Sequence, residues 1–326
     1  MEQYKAKVIA GEFGDLINKY FENIQYPAEP AGLYEPVRYA LSSGGKRLRP
    51  TLLLSAASAY GTEAGAVIDA AAALEMYHNF TLLHDDVMDN ADVRRGRPTV
   101  HRRYGRDAAI LSGDAMLTLA TVLVSIGAGP KLAPVMDMFN SMALGVYAGQ
   151  QMDMEFESRK DVRVDEYMEM IRLKTSVLLA CACRMGALLA DAPAQDQEAM
   201  YRYGELLGLA FQLQDDYLDT YGDPLVFGKE IGGDIANAKK TWLLITALNE
   251  DTTGEVAAAI ASDDDAEVRI ERVKAVYDRL DLGRRIQDLV ADYARQAADA
   301  VNSTAMNADW KSYFADMALK LSRRDN

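Results

Sequence analysis

Apolar residues recur at three- and four-residue intervals through almost every stretch of this chain, a spacing that suits helices because it returns side chains to one face each turn. The pattern is plain in LYEPVRYAL, TLLLSAASAY, VIDAAAALEMYHNFTLLHDDVM, DAAILSGDAMLTLATVLVSI, VMDMFNSMALGVYAGQQMDMEF and VDEYMEMIRLKTSVLLACACRMGALLA. β-Branched runs bounded by turn residues are scarce, so little is available to build a sheet. Breakers at Gly44-Gly45, Arg94 to Pro98, Gly127 to Pro130, Ala192-Pro193, Gly222 to Gly233 and Thr252 to Gly254 divide the chain into long helices with short connections. Residues 67–88 and 163–191 are apolar on more than one face, which suits helices surrounded by neighbours. The reading is an all-α, multi-helix bundle. No Pro/Ser-rich linker separates halves, so residues 1–326 are expected to form a single domain.

Composition narrows the function. Hydrophobic residues at 49%, charged residues at 26% and nine prolines exclude collagen-like, disordered and disulfide-scaffold classes. A formal charge of −14 argues against a nucleic-acid partner, so any polyanion must be met by local basic clusters. Cys181 and Cys183 are two apart on an expected helix and point to different sides, which supports neither a disulfide framework nor a zinc site and fits a reducing, cytoplasmic compartment. The N-terminal MEQYKAKVIAGEF lacks the apolar core of a signal peptide, and Gly113-Asp114 interrupts the most apolar region, so no targeting peptide or membrane span is expected. The acidic run ASDDDAE at 261–267 reads as a solvated loop.

The chemistry begins in LLHDDVMDNADVRRG. Asp85, Asp86 and Asp89 end a long helix, and Arg94 and Arg95 follow. Asp85 and Asp89 lie one turn apart on one face, about 6 Å along the axis, close enough to share a cluster of divalent ions. Like charges at that spacing destabilise a helix, so something positive should compensate. Hard oxygen donors suit Mg²⁺, which keeps several waters and takes substrate phosphate oxygens, onto which Arg94 and Arg95 could fork.

AFQLQDDYLDTYGDP repeats the pattern at Asp215, Asp216 and Asp219. If the two helices face each other, up to six carboxylates line one cavity mouth, with repulsion on the order of 4 kcal/mol per close pair, which bound cations would offset. A diphosphate held with several Mg²⁺ between two such walls is the arrangement expected of an enzyme that ionises an allylic diphosphate by stabilising charge on the leaving group. Basic residues support this: Lys46 and Arg49 in GGKRLRP, and Lys229, Lys239 and Lys240 in GKEIGGDIANAKKT. Lys174-Thr175 and Gln212 complete a polar set amid apolar helices.

With GGKRLRP, HDDVMDNADVRRG, GQQMD, KT, FQLQDDYLD and GKEIGGDIANAKKTW in this order, the sequence closely resembles the trans-isoprenyl diphosphate synthases, or polyprenyl synthetases, over roughly residues 35–245. The resemblance implies an isoprenoid synthase bundle around a central cavity, usually a homodimer, that condenses isopentenyl diphosphate head-to-tail with an allylic diphosphate (dimethylallyl, geranyl or farnesyl). It implies three Mg²⁺ per site, with Asp85 and Asp89 holding two and Asp215 a third, while Asp86, Asp216 and Asp219 act as alternate or supporting acceptors. Arg94, Lys174, Thr175, Gln212, Lys229 and Lys239 match positions that hold the allylic diphosphate. Lys46, Arg49, His78 and Arg95 match the isopentenyl diphosphate pocket, and Gln150 a position near the allylic chain. Lys239 rather than Lys240 fits the register, five residues after Asp234. His84 and His101 read as packing or hydrogen-bonding residues. The basic end KLSRRDN either folds over the site or frays.

The first aspartate helix bears on product length. Thr81 and Tyr77 share the stripe of Asp85 and Asp89, and Phe80 flanks it. Phe80 and Tyr77 lie about 7.5 and 12 Å up the axis from Asp85, against roughly 5 Å per isoprene unit. Either they floor a tunnel for short products, farnesyl or geranylgeranyl diphosphate, or they are ordinary core aromatics. A terpene cyclase or a non-catalytic subunit of a heteromeric synthase would share the fold. The former usually lacks the second aspartate motif and GGKRLRP, and the latter could afford to lose carboxylates.

Overall fold

A computed structural model describes residues 5–223 and 231–322. Helices dominate them, and the strand content is one two-residue antiparallel pair, β1 (Val93–Arg94) with β2 (Arg97–Pro98), in register Val93 to Pro98 and Arg94 to Arg97. The all-α expectation is met. Packing separates the chain into two compact units: Met1–Asn140 with Ala182–Gln197, and Ser141–Cys181 with Glu198–Asn326.

In unit one, α1 (Lys5–Gly11), α2 (Phe13–Asn23), α3 (Ala31–Leu41) and α4 (Leu48–Ala59) precede the long α5 (Ile68–Met88). After the hairpin come α6 (Val100–Tyr104), α7 (Arg106–Ala128) and the start of α8 (Leu132–Ser158). α5 packs against α2, α3, α4, α6 and α7. Its sequence explains why: Ala70 to Ala73 let neighbours approach closely, and Leu74, Met76 and Tyr77 are wholly buried, each contributing about 1.5–3 kcal/mol of transfer free energy. α7 turns Ala109, Met116, Ala120 and Val124 inward and leaves Leu111, Val122 and Ile126 exposed.

In unit two, α9 (Val164–Ile171) passes through a π-helical stretch, Arg172–Ser176, into α10 (Val177–Leu189), whose residues from Ala182 on belong to unit one. α11 (Ala194–Tyr221), α12 (Gly233–Ala236), α13 (Trp242–Glu250), α14 (Glu255–Ile260), α15 (Ala266–Arg279), α16 (Leu282–Asn302) and α17 (Ala308–Ser322) follow. The Thr241 hydroxyl caps α13 by accepting from Leu244 N at 3.3 Å. α16 buries Leu282, Ile286, Val290, Ala294, Ala297 and Val301, one apolar stripe at three- and four-residue steps. Val290 and Ile286 share a core with Phe156, Leu213, Trp242 and Val276.

The acidic run at 261–267 spans the turn between α14 and α15, where Asp264 pairs with Arg272 at 2.5 Å. Cys181 and Cys183 are buried thiols. The stretch Arg106–Ser158 is long and apolar enough by length and composition to cross a membrane, with mean hydropathy 1.8 and 33% of that window buried. Its Gly129–Lys131 turn divides it into α7 and α8, α7 packs one face on α5, and no span is implied.

Candidate active site

In unit one the last turn of α5 carries Asp85 and Asp86, with Asp89 at its C-cap donating its backbone N–H to Asp85 O at 2.9 Å. Their environments differ sharply. Asp86 is buried, and Arg94 on β1 donates Nε to its Oδ1 and Oδ2 at 2.8 and 2.9 Å and approaches Oδ1 through Nη2 at 2.7 Å. Burial pushes the Asp86 carboxyl up while Arg94 pulls it down. Asp85 lies 3.7 Å from the same guanidinium, and Asp89 is exposed. Arg94 thus supplies the positive charge expected beside this carboxylate pair.

The basic cluster of the same unit is built on the turn before α4. Gly45 adopts φ +134°, and a Cβ there would lie 2.9 Å from Arg95 Nη1, so only glycine lets that guanidinium lie across the turn. Arg95, itself left-handed at φ +53°, donates Nη1 to Gly44 O. Arg49 Nε is enclosed and has no hydrogen-bond partner among the described residues. Burial lowers the Arg49 guanidinium to about 10, opposed by Glu75 and reinforced by Arg95. Burial also holds His78 well below its ordinary value, with Arg49, Arg95, Arg94 and Arg47 adding to the effect, so its ring is neutral. Lys46 is exposed on the turn. Arg49, His78 and Arg95 therefore share one electropositive neighbourhood, and the unmatched Arg49 Nε is a donor suited to an anion.

Tyr77 and Phe80 pack together with ring centroids 5.5 Å apart, and Tyr77 meets Phe139 edge-on at 5.5 Å. Both are buried, and Thr81 Oγ1 donates to His78 O at 2.8 Å. His84 contacts Ile110 O at 3.0 Å and the Phe80 ring at 4.8 Å, and His101 Nδ1 contacts Thr99 Oγ1 at 3.1 Å.

In unit two α11 ends in the second acidic cluster. Asp216 is buried; Tyr167 donates its hydroxyl to Oδ2, and Gln212 Nε2 donates to Oδ1 at 3.2 Å. Burial raises Asp216 to about 7, with Asp234 adding repulsion, and the same two causes raise Asp219 to about 6. Asp219 Oδ1 accepts from Asp234 N at 2.9 Å, which ties α12 to the end of α11. The Lys239 ammonium lies 3.6 Å from Asp234 Oδ1; burial would lower its pKa, but Asp234, Asp216, Asp153 and Asp215 together raise it. Lys240 instead donates to Ala238 O at 3.3 Å.

Lys174 and Thr175 sit in the π-helical stretch, a distortion often found where a helix serves a site. Lys174 Nζ reaches Asp153 Oδ2 at 2.6 Å, and Thr175 Oγ1 donates to Gln212 Oε1 at 3.1 Å. α8 runs close beneath: a Cβ on Gly149 would lie 2.4 Å from Lys174 N, so glycine is required beside the half-buried Gln150. Lys229 lies outside the described residues.

Among the described residues no three His, Cys, Asp or Glu side chains form a ready-made metal cage. Asp86 and Asp216 explain part of this, because protein donors already occupy both. The remaining carboxylate oxygens are hard donors, which fit a hydrated Mg²⁺ completed by phosphate oxygens. Sequence reasoning missed Asp153, Tyr167, Arg47 and Glu75. Asp153 stood inside GQQMD, whereas Tyr167 carried no signal, because its partner is 49 residues away.

Comparison with known proteins gives one consistent answer. Residues 30–280 match the family model described as Polyprenyl synthetase. The chain is 43% identical over 223 residues to the geranylgeranyl diphosphate synthase of Methanosarcina mazei, covering 68% of this chain and 69% of that protein. It is 36% identical over 300 residues to the geranylfarnesyl diphosphate synthase of Natronomonas pharaonis, covering 86% and 84%. A crystal structure of a geranylgeranyl pyrophosphate synthase superposes with a TM-score of 0.90 at 41% identity, covering 98% of each chain.

Proposed function

Because the chain belongs to the polyprenyl synthetase family, we propose that it is a short-chain trans-prenyltransferase that condenses isopentenyl diphosphate with dimethylallyl, geranyl or farnesyl diphosphate to give farnesyl or geranylgeranyl diphosphate. The observation that carries this reading is the pair of DDxxD helix ends, each accompanied in its own unit by a basic side chain of the kind that binds diphosphate, Arg94 beside the first and Lys239 beside the second. The relatives bear synthase names, and neither a terpene cyclase nor an inert partner subunit finds support among them.

Asp85 and Asp89 would hold two Mg²⁺ ions and Asp215 a third, which when bound would neutralise the diphosphate and make it a better leaving group. Asp86 and Asp216 support these ligands by fixing Arg94 and the end of α11. Arg94, Lys174, Thr175, Gln212, Lys229 and Lys239 bind the allylic diphosphate oxygens, and Gln150 lies by its chain. Lys46, Arg49, Arg95 and neutral His78 bind isopentenyl diphosphate. The allylic C–O bond breaks with its electron pair leaving on the diphosphate. The isopentenyl double bond then attacks the allylic carbon, and the proton shed by the resulting cation passes to the released diphosphate. Tyr77, Phe80 and Thr81 limit the chain.

Residues 1–326 would act as one cytoplasmic catalytic domain. The exposed Leu111, Val122 and Ile126 on one face of α7 support a homodimer, since large apolar side chains in a row are costly to leave in water. The test is incubation of the purified chain with isopentenyl diphosphate and each allylic primer. Mass analysis should show linear prenyl diphosphates that depend on both substrates and on magnesium. A cyclised hydrocarbon formed from the allylic diphosphate alone would refute the reading.

A further inference from the structure

Arg47 breaks two local expectations at once. It is a bulky residue in the left-handed region, at φ 47° and ψ 37°, where non-glycine residues are uncommon, and it is a charged side chain only 4% exposed. Such a conformation persists where the surroundings over-determine it. Here three groups do so: Arg47 Nη1 donates to Glu75 Oε1 at 2.7 Å, Nε to Asn18 Oδ1 at 2.9 Å and Nη2 to Leu41 O at 2.9 Å. Glu75, 2% exposed on α5, is steadied by Asn79 Nδ2, at 2.8 Å from its carbonyl and 3.3 Å from its carboxylate.

The geometry ties α2, the end of α3 and α5 to the turn that presents Lys46 on one side of Arg47 and Arg49 on the other. Arg95 braces the other side of the turn through Gly44 O. A cavity of about 630 Å³ lies behind the turn, lined by Asn18, Phe21, Tyr26, Arg38, Leu41 and Arg47, so the turn is not wedged by a packed core. Glu75 precedes His78 by one helical turn, so one α5 face carries both the anchor and a pocket residue.

We propose that the buried Arg47–Glu75 pair, with Asn18, is the positioning element of the isopentenyl diphosphate pocket, holding Lys46 and Arg49 at the spacing the second substrate needs. The inference rests on the prenyltransferase reading above. It predicts a selective defect, because the pair anchors the turn of one substrate and, among the described residues, hydrogen-bonds to none assigned to the other.

Glu75→Gln keeps shape and an acceptor but loosens the anchor. It should raise KM for isopentenyl diphosphate about tenfold, leaving kcat and KM for the allylic diphosphate within about twofold. Asn18→Ala, which retains the ion pair, should raise the same KM about threefold. The double variant Arg47→Met with Glu75→Leu replaces the pair by apolar groups, an exchange that often restores folding. It should melt near wild type yet keep the raised KM. A purely electrostatic role for Glu75 would lower KM for isopentenyl diphosphate, since removing a negative charge favours an anion, and a fall overturns the proposal. So do equal shifts in both KM values, or a folded double variant with normal kinetics. Wild-type protein that consumes no isopentenyl diphosphate refutes the activity itself, a result read before any variant is compared.

Discussion

Lys174 Nζ sits 2.6 Å from Asp153 Oδ2, so the lysine assigned to the allylic diphosphate is held by a carboxylate of α8. Lys174→Met removes the donor and is expected to lower kcat/KM for the allylic diphosphate by about 10²-fold or more. Asp153→Ala leaves the ammonium but frees its rotamers, and should cost about tenfold. Steady-state kinetics on both variants check this, and equal losses would mean that Asp153 does more than orient its partner.

Asp85 and Asp86 are neighbours with opposite fates. Asp85→Ala, like Asp215→Ala, should abolish turnover while the melting temperature holds or rises, because like-charge repulsion is relieved. Asp86→Ala removes the main partner of Arg94 and should destabilise the fold by about 1–3 kcal/mol. Thermal melts beside activity assays separate the two effects, and near-normal turnover in Asp85→Ala contradicts the metal-ligand assignment.

Stability should depend on pH in a specific direction. Asp216 and Asp219 are raised to about 7 and about 6, above the ordinary carboxylate value of the unfolded chain, chiefly by burial. Between pH 4 and 7 the folded protein therefore binds more protons than the unfolded one, and these groups make it less stable as pH rises through that window, by up to about 1.4 kcal/mol per pH unit per proton. In chelator, Asp216→Asn should melt with a smaller loss between pH 5 and 8 than wild type. An identical pH profile would show that Asp216 is ionised throughout.

Tyr77 and Phe80 are buried against each other, and Tyr77 against Phe139. Truncating either to Ala should lengthen the product by one or more isoprene units and cost about 3–5 kcal/mol of stability. Mass analysis of products decides the first point. Unchanged length in both variants would place the floor elsewhere and leave these rings as core packing.

The helices could be read from the sequence because their periodicity is local: α5 is apolar on more than one face, and that is why it meets neighbours on several sides. The two aspartate motifs were legible for the same reason, since a four-residue step on a helix needs no tertiary information. What could not be read was which protein groups claim the supporting carboxylates. Asp86 is claimed by Arg94 on the first strand of the hairpin and Asp216 by Tyr167 across 49 residues, pairings that depend on packing rather than spacing. Arg47 was hidden because nothing in GGKRLRP marks an arginine, flanked by two better-placed bases, as left-handed and buried. Only register distinguishes Lys239 from Lys240 in the sequence; in the fold the Lys239 ammonium lies with Asp234, and Lys240 donates to a backbone carbonyl.

Calorimetric titration of geranyl diphosphate into the protein tests the central claim most directly. With magnesium present, saturable binding is expected in the wild type and a marked weakening in Asp85→Ala and Asp215→Ala alike, since each would remove a metal ligand. Equal affinity in magnesium and in chelator, or full affinity in either variant, would contradict the account.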